Sequence, residues 1–399
     1  MRITDESRSA GYGALLWLAL ATFSMGIDGY VLAGLLPQIA SDLDVTEAGA
    51  GQLVAMFALT GALAGPVLSA LTGRWERKSI IAASLAVFVI GNLIVALAPD
   101  YSWAMFGRIF SAVGGSLLSA VVSSYVVAKA PPERRGRALS FVLGGWLAAT
   151  ALGVPLGLVL GRSDWRIPLV LVAIVGTIAL IGILVGVPRL HLPALTLRET
   201  LRPLTQPRLI GGILVGTGLM AASYLCFTYA TLIIGPRVGI DLMIAAMFGY
   251  GIVSLIGNII SGRLTDRFDP VRVITVIITV LIAVALLGAA GLLLPGLAGA
   301  IAAVAWFLAC ALFNGGSGVA LQSRLSRMAP ESVSLVLALY GSGMALGTAL
   351  GGILGGALLT AGLPADGLLP ASAVVLVLTL GLHLLVGRGT RRADLVAVA

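Results

Sequence analysis

Charged side chains are scarce in this sequence. Asp, Glu, Lys and Arg make up 11% of its 399 residues, against 59% hydrophobic, where a soluble globule carries roughly 25% charged residues. With a mean hydropathy of +1.06, the chain has too little polar surface to face water on all sides, which excludes a soluble protein. Cysteine is also rare. Cys226 and Cys310 both lie in apolar runs, too few for a disulfide framework, and read as small core residues. The two histidines, His191 and His383, are far apart in sequence. No zinc spacing, phosphate-cradling glycine loop or nucleophile motif is present, so neither enzyme chemistry nor a metal or cofactor is expected. The first apolar run, from about Gly11 to Leu36, is longer than a signal-peptide core.

What is present is a succession of long apolar segments. A helix needs about 20 apolar residues to cross a bilayer. Breaks at charges, Pro and Gly give twelve predicted spans: 11–36, 48–72, 79–98, 101–128, 136–161 and 166–187, then 209–234, 241–262, 270–294, 298–322, 333–361 and 367–387. The fold class is therefore an all-α membrane protein of twelve transmembrane helices. Of the 25 Lys and Arg residues, Arg108 is inside a span, and Arg162, Arg166 and Arg237 lie on one set of junctions. The other 21 lie on the termini and the opposite junctions. By the positive-inside rule both termini are cytoplasmic. The net charge of +8 is thus topological, and no nucleic-acid partner is expected. Trp103 and Trp165 sit near predicted outer ends, as interfacial belt residues do.

The chain repeats itself at about 198 residues. "KAPPERRGRALS" before span 5 answers "RMAPESVSLVLA" before span 11, and Pro132-Glu133 aligns with Pro330-Glu331. Gly145, Gly153 and Gly157 align with Gly343, Gly351 and Gly355. Two six-helix halves, 1–187 and 209–399, are predicted about a cytoplasmic linker, 188–208, in which "LTLRETLRPL" reads as a short surface helix. Parallel repeats of this kind build secondary transporters, with substrate bound between the halves near the midplane. Spans 5 and 11 carry small residues every fourth position, a face that admits close backbone approach. Their matching positions predict that the two spans pack on one another across the seam.

These motifs resemble the major facilitator superfamily, specifically its twelve-span drug:proton antiporter branch, over essentially the whole chain. "GRLTDRFDPVR", Gly262–Arg272, looks like the family's loop signature. Gly262, Leu264, Asp266 and Arg267 match it, while Asp269 and Pro270 depart. In "SALTGRWERK", Arg74, Arg77 and Lys78 fit, with Gly73 where the acid is expected and Glu76 where a glycine is. "GRIFSAVGGS" resembles the span-4 motif with its buried arginine, here Arg108. "GGWLAATALGVPLG" resembles the span-5 antiporter motif, through Gly153, Pro155 and Gly157. "GLLPQIASDLDV" and "GVPLGLVLG" look most like bacterial exporters of chloramphenicol, sugars and nucleosides. The resemblance implies a multi-pass transporter of the bacterial cytoplasmic membrane, exchanging protons for a small-molecule substrate; the polar features all point into one bundle, so a monomer is expected. It implies gating roles for Arg74, Arg77, Lys78, Asp266, Arg267, Gly153, Pro155 and Gly157. Asp266 is expected to latch onto the start of span 5 near Gly136, aided by Arg134, Arg135 or Arg137.

Of the 17 acidic residues, only Asp28 lies deep in a predicted span, and Arg108 is the only deep base. A charge at the bilayer centre costs about 2.5–3.5 kcal/mol on insertion scales and marks a functional site by default. At 1.5 Å per residue, Asp28 is about 13 Å and Arg108 about 10 Å from the outer surface. Similar depth predicts a pair, exposed to a wet central cavity, in which Asp28 takes up and releases the transported proton. Polar stripes at helical spacing supply cavity candidates: Tyr224, Thr228 and Thr231 in span 7, Tyr250, Ser254 and Asn258 in span 8. Span 10 adds Trp306, Cys310 and Asn314. Tyr30, Asn92, Ser111, Trp146 and Tyr340 are further candidates. Such a cavity is aromatic and weakly polar, suited to neutral amphipathic molecules. The expected function is proton-coupled export of such molecules. The alternative is uptake of a sugar, nucleoside or similar metabolite by symport or facilitated diffusion.

Overall fold

The computed structural model describes residues 6–131, 134–191, 205–329 and 332–398. The expected surface helix at 195–204 and the Pro-Glu pairs of the repeat lie outside them. Every regular element among the described residues is helical. The first eight helices are α1 (Glu6–Val31), α2 (Leu36–Asp42), α3 (Glu47–Leu71), α4 (Arg77–Ala96), α5 (Tyr101–Lys129), α6 (Arg135–Ala148), α7 (Val154–Leu160) and α8 (Ile167–Gly186). Then follow α9 (Pro207–Phe227), α10 (Ala230–Arg267), α11 (Pro270–Gly291), α12 (Gly296–Met328), α13 (Val333–Thr360) and α14 (Leu368–Val398).

Eleven segments among the described residues are long and apolar enough to cross a membrane. The remaining expected span, 136–161, is helical but interrupted. A π turn at Ala149–Gly153 joins α6 to α7. Pro155, at the start of α7, has no N–H to donate and its ring crowds the carbonyl four residues back; widening the preceding turn relieves both. Expected spans 7 and 8 also differ from the structure. Span 7 ends at Phe227, and α10 runs from Ala230 through Pro236 with a kink at Gly239, whose φ of 72° suits glycine. The scarce acids mark helix starts. Asp100 accepts from the Trp103 N–H at 3.0 Å and Asp269 from the Val271 N–H at 3.2 Å, satisfying donors that a helix leaves unpaired.

The helices form two compact units, residues 1–45 with 63–197 and residues 46–62 with 198–399. In the first, α1 packs on α6 and α8, and α4 on α5 and α8. In the second, α9 packs on α13 and α14, and α11 on α12 and α14. The sequence repeat is therefore a repeat of packing. It extends to single bonds: the Thr22 hydroxyl donates to the Val142 carbonyl, and the Thr217 hydroxyl to the Gly343 carbonyl at 3.0 Å. α3 is divided, and its first part, in the second unit, sets Gly51 against the Tyr229 ring and Ala55 against Gly352.

The glycine stripes correct the seam expectation. A Cβ at Gly145, Gly153, Gly157 or Gly161 would meet Ala19, Ile27, Val31 or Leu35 of the first span and its extension. One at Gly343, Gly347 or Gly351 would meet Ile213, Thr217 or Ala221 of α9. Each stripe thus seats a helix of its own unit. Inside a bilayer, association rests on such close packing, because lipid tails are as apolar as the helices.

Each unit is also clamped at one end by an arginine. In the first, Arg166 pairs with Asp42, donates to the Ala98 carbonyl at 3.1 Å and lies 4.6 Å from the Trp165 ring centre. In the second, Arg237 pairs with Asp366 and donates to the Leu292 carbonyl at 3.2 Å. Both arginines tie the end of the unit's third span to an acid, with the polarity reversed: the acid follows the first span in one unit and precedes the last in the other. Trp165 is buried and donates to Asp42 at 3.1 Å, so it is a clamp residue; Trp103 is exposed, as a belt residue would be. The hydrogen bond from Trp165, and then Arg166, hold the Asp42 carboxyl below the usual range. A double-mutant cycle of Asp42→Asn and Arg166→Gln, read by thermal unfolding in detergent, is expected to give a coupling of about 0.5 kcal/mol, typical of part-exposed pairs. Zero coupling would remove the clamp from the stability of the unit.

Candidate functional site

Asp28 and Arg108 meet. Arg108 Nη1 lies 2.6 Å from Asp28 Oδ1, and each residue is 1% exposed. Two sets of small residues bring them together. On the α5 side, glycines remove the side chains that would separate α4 from α5. A Cβ on Gly91 would strike Ser111, one on Gly107 the Gly91 carbonyl, and one on Gly114 the Phe88 backbone. Ser111 donates to the Arg108 carbonyl at 3.0 Å, and Asn92 to the Phe88 carbonyl at 3.0 Å. Both are buried in this helix contact. On the α1 side, the span-5 motif grips the acid's own segment. Gly26 faces Ala149 and Trp146, Ile27 packs on Gly153, and Val31 on Gly157. The π turn therefore lies opposite the turn of α1 that carries Asp28.

The expectation of a wet carboxylate is not met. Asp28 Oδ2 is closed from solvent and has no hydrogen-bond partner. Taking both ions from water costs several kcal/mol per ion, offset by their mutual attraction when the geometry is good. One carboxylate oxygen is held; the other is a buried acceptor with nothing to accept. Two residues on, Tyr30 meets Trp146 edge to face at 6.2 Å, with the indole N–H 3.5 Å from the tyrosine hydroxyl. Both rings are half-buried.

A second feature lies wholly within the second unit. Tyr250, Trp306, Cys310 and Asn314 line one pocket together with Phe227 and Phe307. Its empty volume, including the open mouth, is about 410 Å³. Asn314 donates to the Ser223 hydroxyl at 2.8 Å. The other cavity candidates are placed elsewhere. Tyr340 belongs to the apolar core and packs against Gly216, because the glycine opens a slot for its ring. Thr228 and Thr231 are buried. Ser254 lies against Gly315, whose carbonyl accepts from Asn258 at 3.4 Å. Tyr224 stacks at a tilt on Phe227, 5.4 Å away.

Arg108 is not the only enclosed base. Arg324 is buried on α12, donating to His383 Nδ1 at 2.8 Å. His383 Nε2 lies 3.1 Å from the Val271 carbonyl and from the Thr275 hydroxyl. The sequence hides this pair because the apolar run of predicted span 10 stops at residue 322, while the helix continues to Met328 and encloses the arginine. Phe227 and Phe307 were missed because an apolar ring in an apolar run carries no signal.

The gating candidates divide. Arg74, Asp266 and Arg267 are exposed, and Asp266 makes no ion pair among the described residues. Arg77 is buried and donates to the Gly73 carbonyl at 3.2 Å. Glu76, standing where the family pattern expects glycine, caps α4 by accepting from the Lys78 and Ser79 N–H groups. It also accepts from the Leu190 N–H, while the Arg77 N–H donates to the Leu190 carbonyl at 2.8 Å. The departure from the pattern thus fastens the start of the linker to α4.

The family model described as "Major Facilitator Superfamily" matches residues 18–332. The chain is similar to a "Chloramphenicol resistance protein" of Streptomyces lividans, 34% identical over 271 residues, covering 66% of this chain and 69% of that one. It is similar to an uncharacterized MFS-type transporter, YtbD, of Bacillus subtilis (strain 168), 31% identical over 259 residues. That match covers 64% of this chain and 65% of the relative, just under two thirds of its length. Among solved structures it resembles a bacterial homolog of the human lysosomal transporter Spinster in an inward-facing, unoccupied conformation. The TM-score is 0.70 at 18% identity, over 95% of this chain and 97% of that one, a likeness of fold.

Burial would raise the Glu76 carboxyl, but its hydrogen bonds from Ser79, Leu190 and Lys78 hold it down to about 2. The unfolded value is about 4.3. The cap therefore contributes fully above that value and is lost as pH falls through about 2. The melting temperature of Glu76→Gln is expected to lie below wild type near pH 7, and the gap to close as pH drops below about 4. A gap independent of pH would show that the charge has no part in the cap.

Proposed function

Because the chain belongs to the major facilitator superfamily, we propose that it is a proton-coupled exporter of small amphipathic molecules working by alternating access. It is a multi-pass protein of the cytoplasmic membrane, and the split of its basic residues supports twelve spans with both termini cytoplasmic. The observation that carries the reading is the enclosed Asp28–Arg108 pair. Superfamily members move small molecules, and one relative bears the name of resistance to chloramphenicol; that compound is the first substrate to try.

The geometry supports a definite role for each side chain. With the pair intact, Arg108 neutralises the carboxylate and the closed packing around α1 is tolerable. Separating the pair leaves an uncompensated buried charge, which costs about 3–5 kcal/mol. A proton on the free Oδ2 removes that charge and lets α1 and α5 adjust without the ion pair. Uptake from the outer side and release to the cytoplasm then alternate with substrate carried the opposite way. Tyr30 and Trp146 form an aromatic edge beside the acid, and the span-5 motif transmits any shift of α6 and α7 to it. A proton crossing about 150 mV yields about 3.5 kcal/mol, enough to hold a neutral substrate at roughly a 300-fold gradient.

Proteoliposomes with an imposed pH gradient test this. Wild type is expected to move chloramphenicol against its gradient, opposite to the proton flow. Asp28→Asn is expected to lose driven transport at least tenfold while keeping gradient-free exchange. Driven transport that survives Asp28→Asn would remove the acid from coupling. Movement in the same direction as the protons would assign the uptake reading instead.

A further inference from the structure

The contact between Arg324 and His383 fixes the charge of both. Arg324 Nη1 donates to His383 Nδ1 at 2.8 Å, so that nitrogen carries no proton. On the other side of the ring, the Thr275 hydroxyl donates to the Val271 carbonyl at 2.8 Å. Both oxygens therefore face His383 Nε2 as acceptors, each at 3.1 Å. The imidazole is the neutral tautomer with its proton on Nε2. A guanidinium stays charged. The cluster thus holds one positive charge on a residue only 4% exposed, and the histidine beside it cannot balance that charge.

The unbalanced cation also has an open edge. Arg324 Nε and Nη2 are closed from solvent and have no hydrogen-bond partner among the described residues. These two N–H groups lie side by side on the guanidinium, the edge that takes both oxygens of a carboxylate. Buried charges are paired as a rule, yet no carboxylate among the described residues lies within ion-pair distance of Arg324. The acid whose charge acts on both Arg324 and His383 is Asp269. It is exposed, and it accepts from the Val271 N–H at 3.2 Å, longer than a charge-assisted bond of full strength. The carbonyl of the same Val271 faces His383. A run of bonds, Asp269 to Val271 to His383 to Arg324, thus joins the start of α11 to α14 and α12, with an exposed acid at one end and a bare cation edge at the other. The other charged residues at these helix ends, Arg272 on α11 and Arg327 on α12, are basic and exposed. Asp269 departs from the family's loop signature, so the resemblance assigns it no role.

We propose that Asp269 is a switch acid with two seats: the cap of α11 that it occupies in this structure, and the Nε/Nη2 edge of Arg324. In the second seat its carboxylate accepts from both N–H groups and neutralises the enclosed cation, and the Val271 N–H is released. The loop moves with the acid, because Phe268 and Asp269 alone separate α10 from α11. The end of α10 carries Asp266 and Arg267, so the exchange shifts the stretch that resembles the family's loop signature. The exchange itself does not depend on transport. Its service as a latch at one end of the second unit rests on the transport reading above.

Asn caps a helix as well as Asp does and carries no charge, so Asp269→Asn keeps the first seat filled and empties the second. In purified full-length protein in detergent, Asp269→Asn is expected to lower the melting temperature by about 2 °C. In an Arg324→Gln background the same change is expected to have less than half that effect. The attraction of the acid to the helix dipole is present in both backgrounds and cancels in the comparison. Arg324→Met, which fills a similar space without charge, is expected to give the same result as Arg324→Gln. Asp266→Asn, which removes the neighbouring acid, is expected to leave the melting temperature unchanged. Hydrogen exchange with mass spectrometry reads the seats directly. Without the arginine the acid stays on the cap, so the Val271 amide in Arg324→Gln and Arg324→Met is expected to exchange about threefold more slowly than in wild type, whereas a disturbed fold speeds exchange. Equal losses from Asp269→Asn in all backgrounds, an equal loss from Asp266→Asn, or unchanged or faster exchange at Val271 would overturn the proposal. Neither measurement uses a substrate or a pH gradient, so a protein that fails to transport would overturn the export reading and leave the switch acid standing.

Discussion

A carboxylate and a guanidinium closed together inside apolar helices set the terms for the rest of the first unit. Neither Asp28 nor Arg108 reaches solvent, and each is tolerable there only because of the other. Holding them at 2.6 Å requires α1 and α5 to be positioned to within a fraction of an ångström. Bulky apolar side chains would keep backbones apart and allow the pair to drift. Glycines do the opposite. Gly91, Gly107 and Gly114 lock α4 to α5, and the stripe from Gly145 to Gly161 locks α1 to α6 and α7. Part of the high glycine content, 52 residues, thus serves precision at the ion pair.

The two units solve one packing problem with unequal chemistry. Thr22 bonds the α6 backbone and Thr217 the α13 backbone, matching spans of the repeat, and each stripe seats the first helix of its own unit. The end clamps reverse the positions of acid and base. Interior positions differ more. Where the first unit encloses Asp28 with Arg108, the second holds a cluster of neutral rings and a histidine–arginine contact. The packing is shared between the units, and the polar content of their interiors is not.

Most of the architecture could be read from hydropathy, because a span must be long and apolar whatever its neighbours. The expected orientation rests on charge alone, while one deep acid and one deep base in the predicted spans are enough to predict the pairing that the structure shows. Contacts between spans were less legible. A small-residue stripe says that a backbone approaches and not which one, so the stripes of spans 5 and 11 suggest each other as partners while each packs on its own unit's first span. Burial of the pair is hidden for the same reason: a wet cavity and a dry glycine contact look alike from one helix. Trp165 shows the limit from the other side. Its place near a span end suited a lipid-facing ring, while its bond to Asp42 depends on a residue more than a hundred positions away.

The span-5 motif acquires a physical meaning from its position. Its proline forces a wider turn at Ala149–Gly153, and its two glycines receive Ile27 and Val31 on either side of Asp28. A π turn is a helical segment with slack, since it can tighten to regular helix by shifting one hydrogen bond. Placed against the turn of α1 that carries the acid, this slack lets α6 and α7 change length or direction without breaking contact with α1. Under the proposed proton coupling the ion pair would have two charge states, and the π turn would supply a backbone able to follow either one. A regular helix along 136–161 would hold α1 rigidly, and protonation of Asp28 would then change a charge without moving a helix.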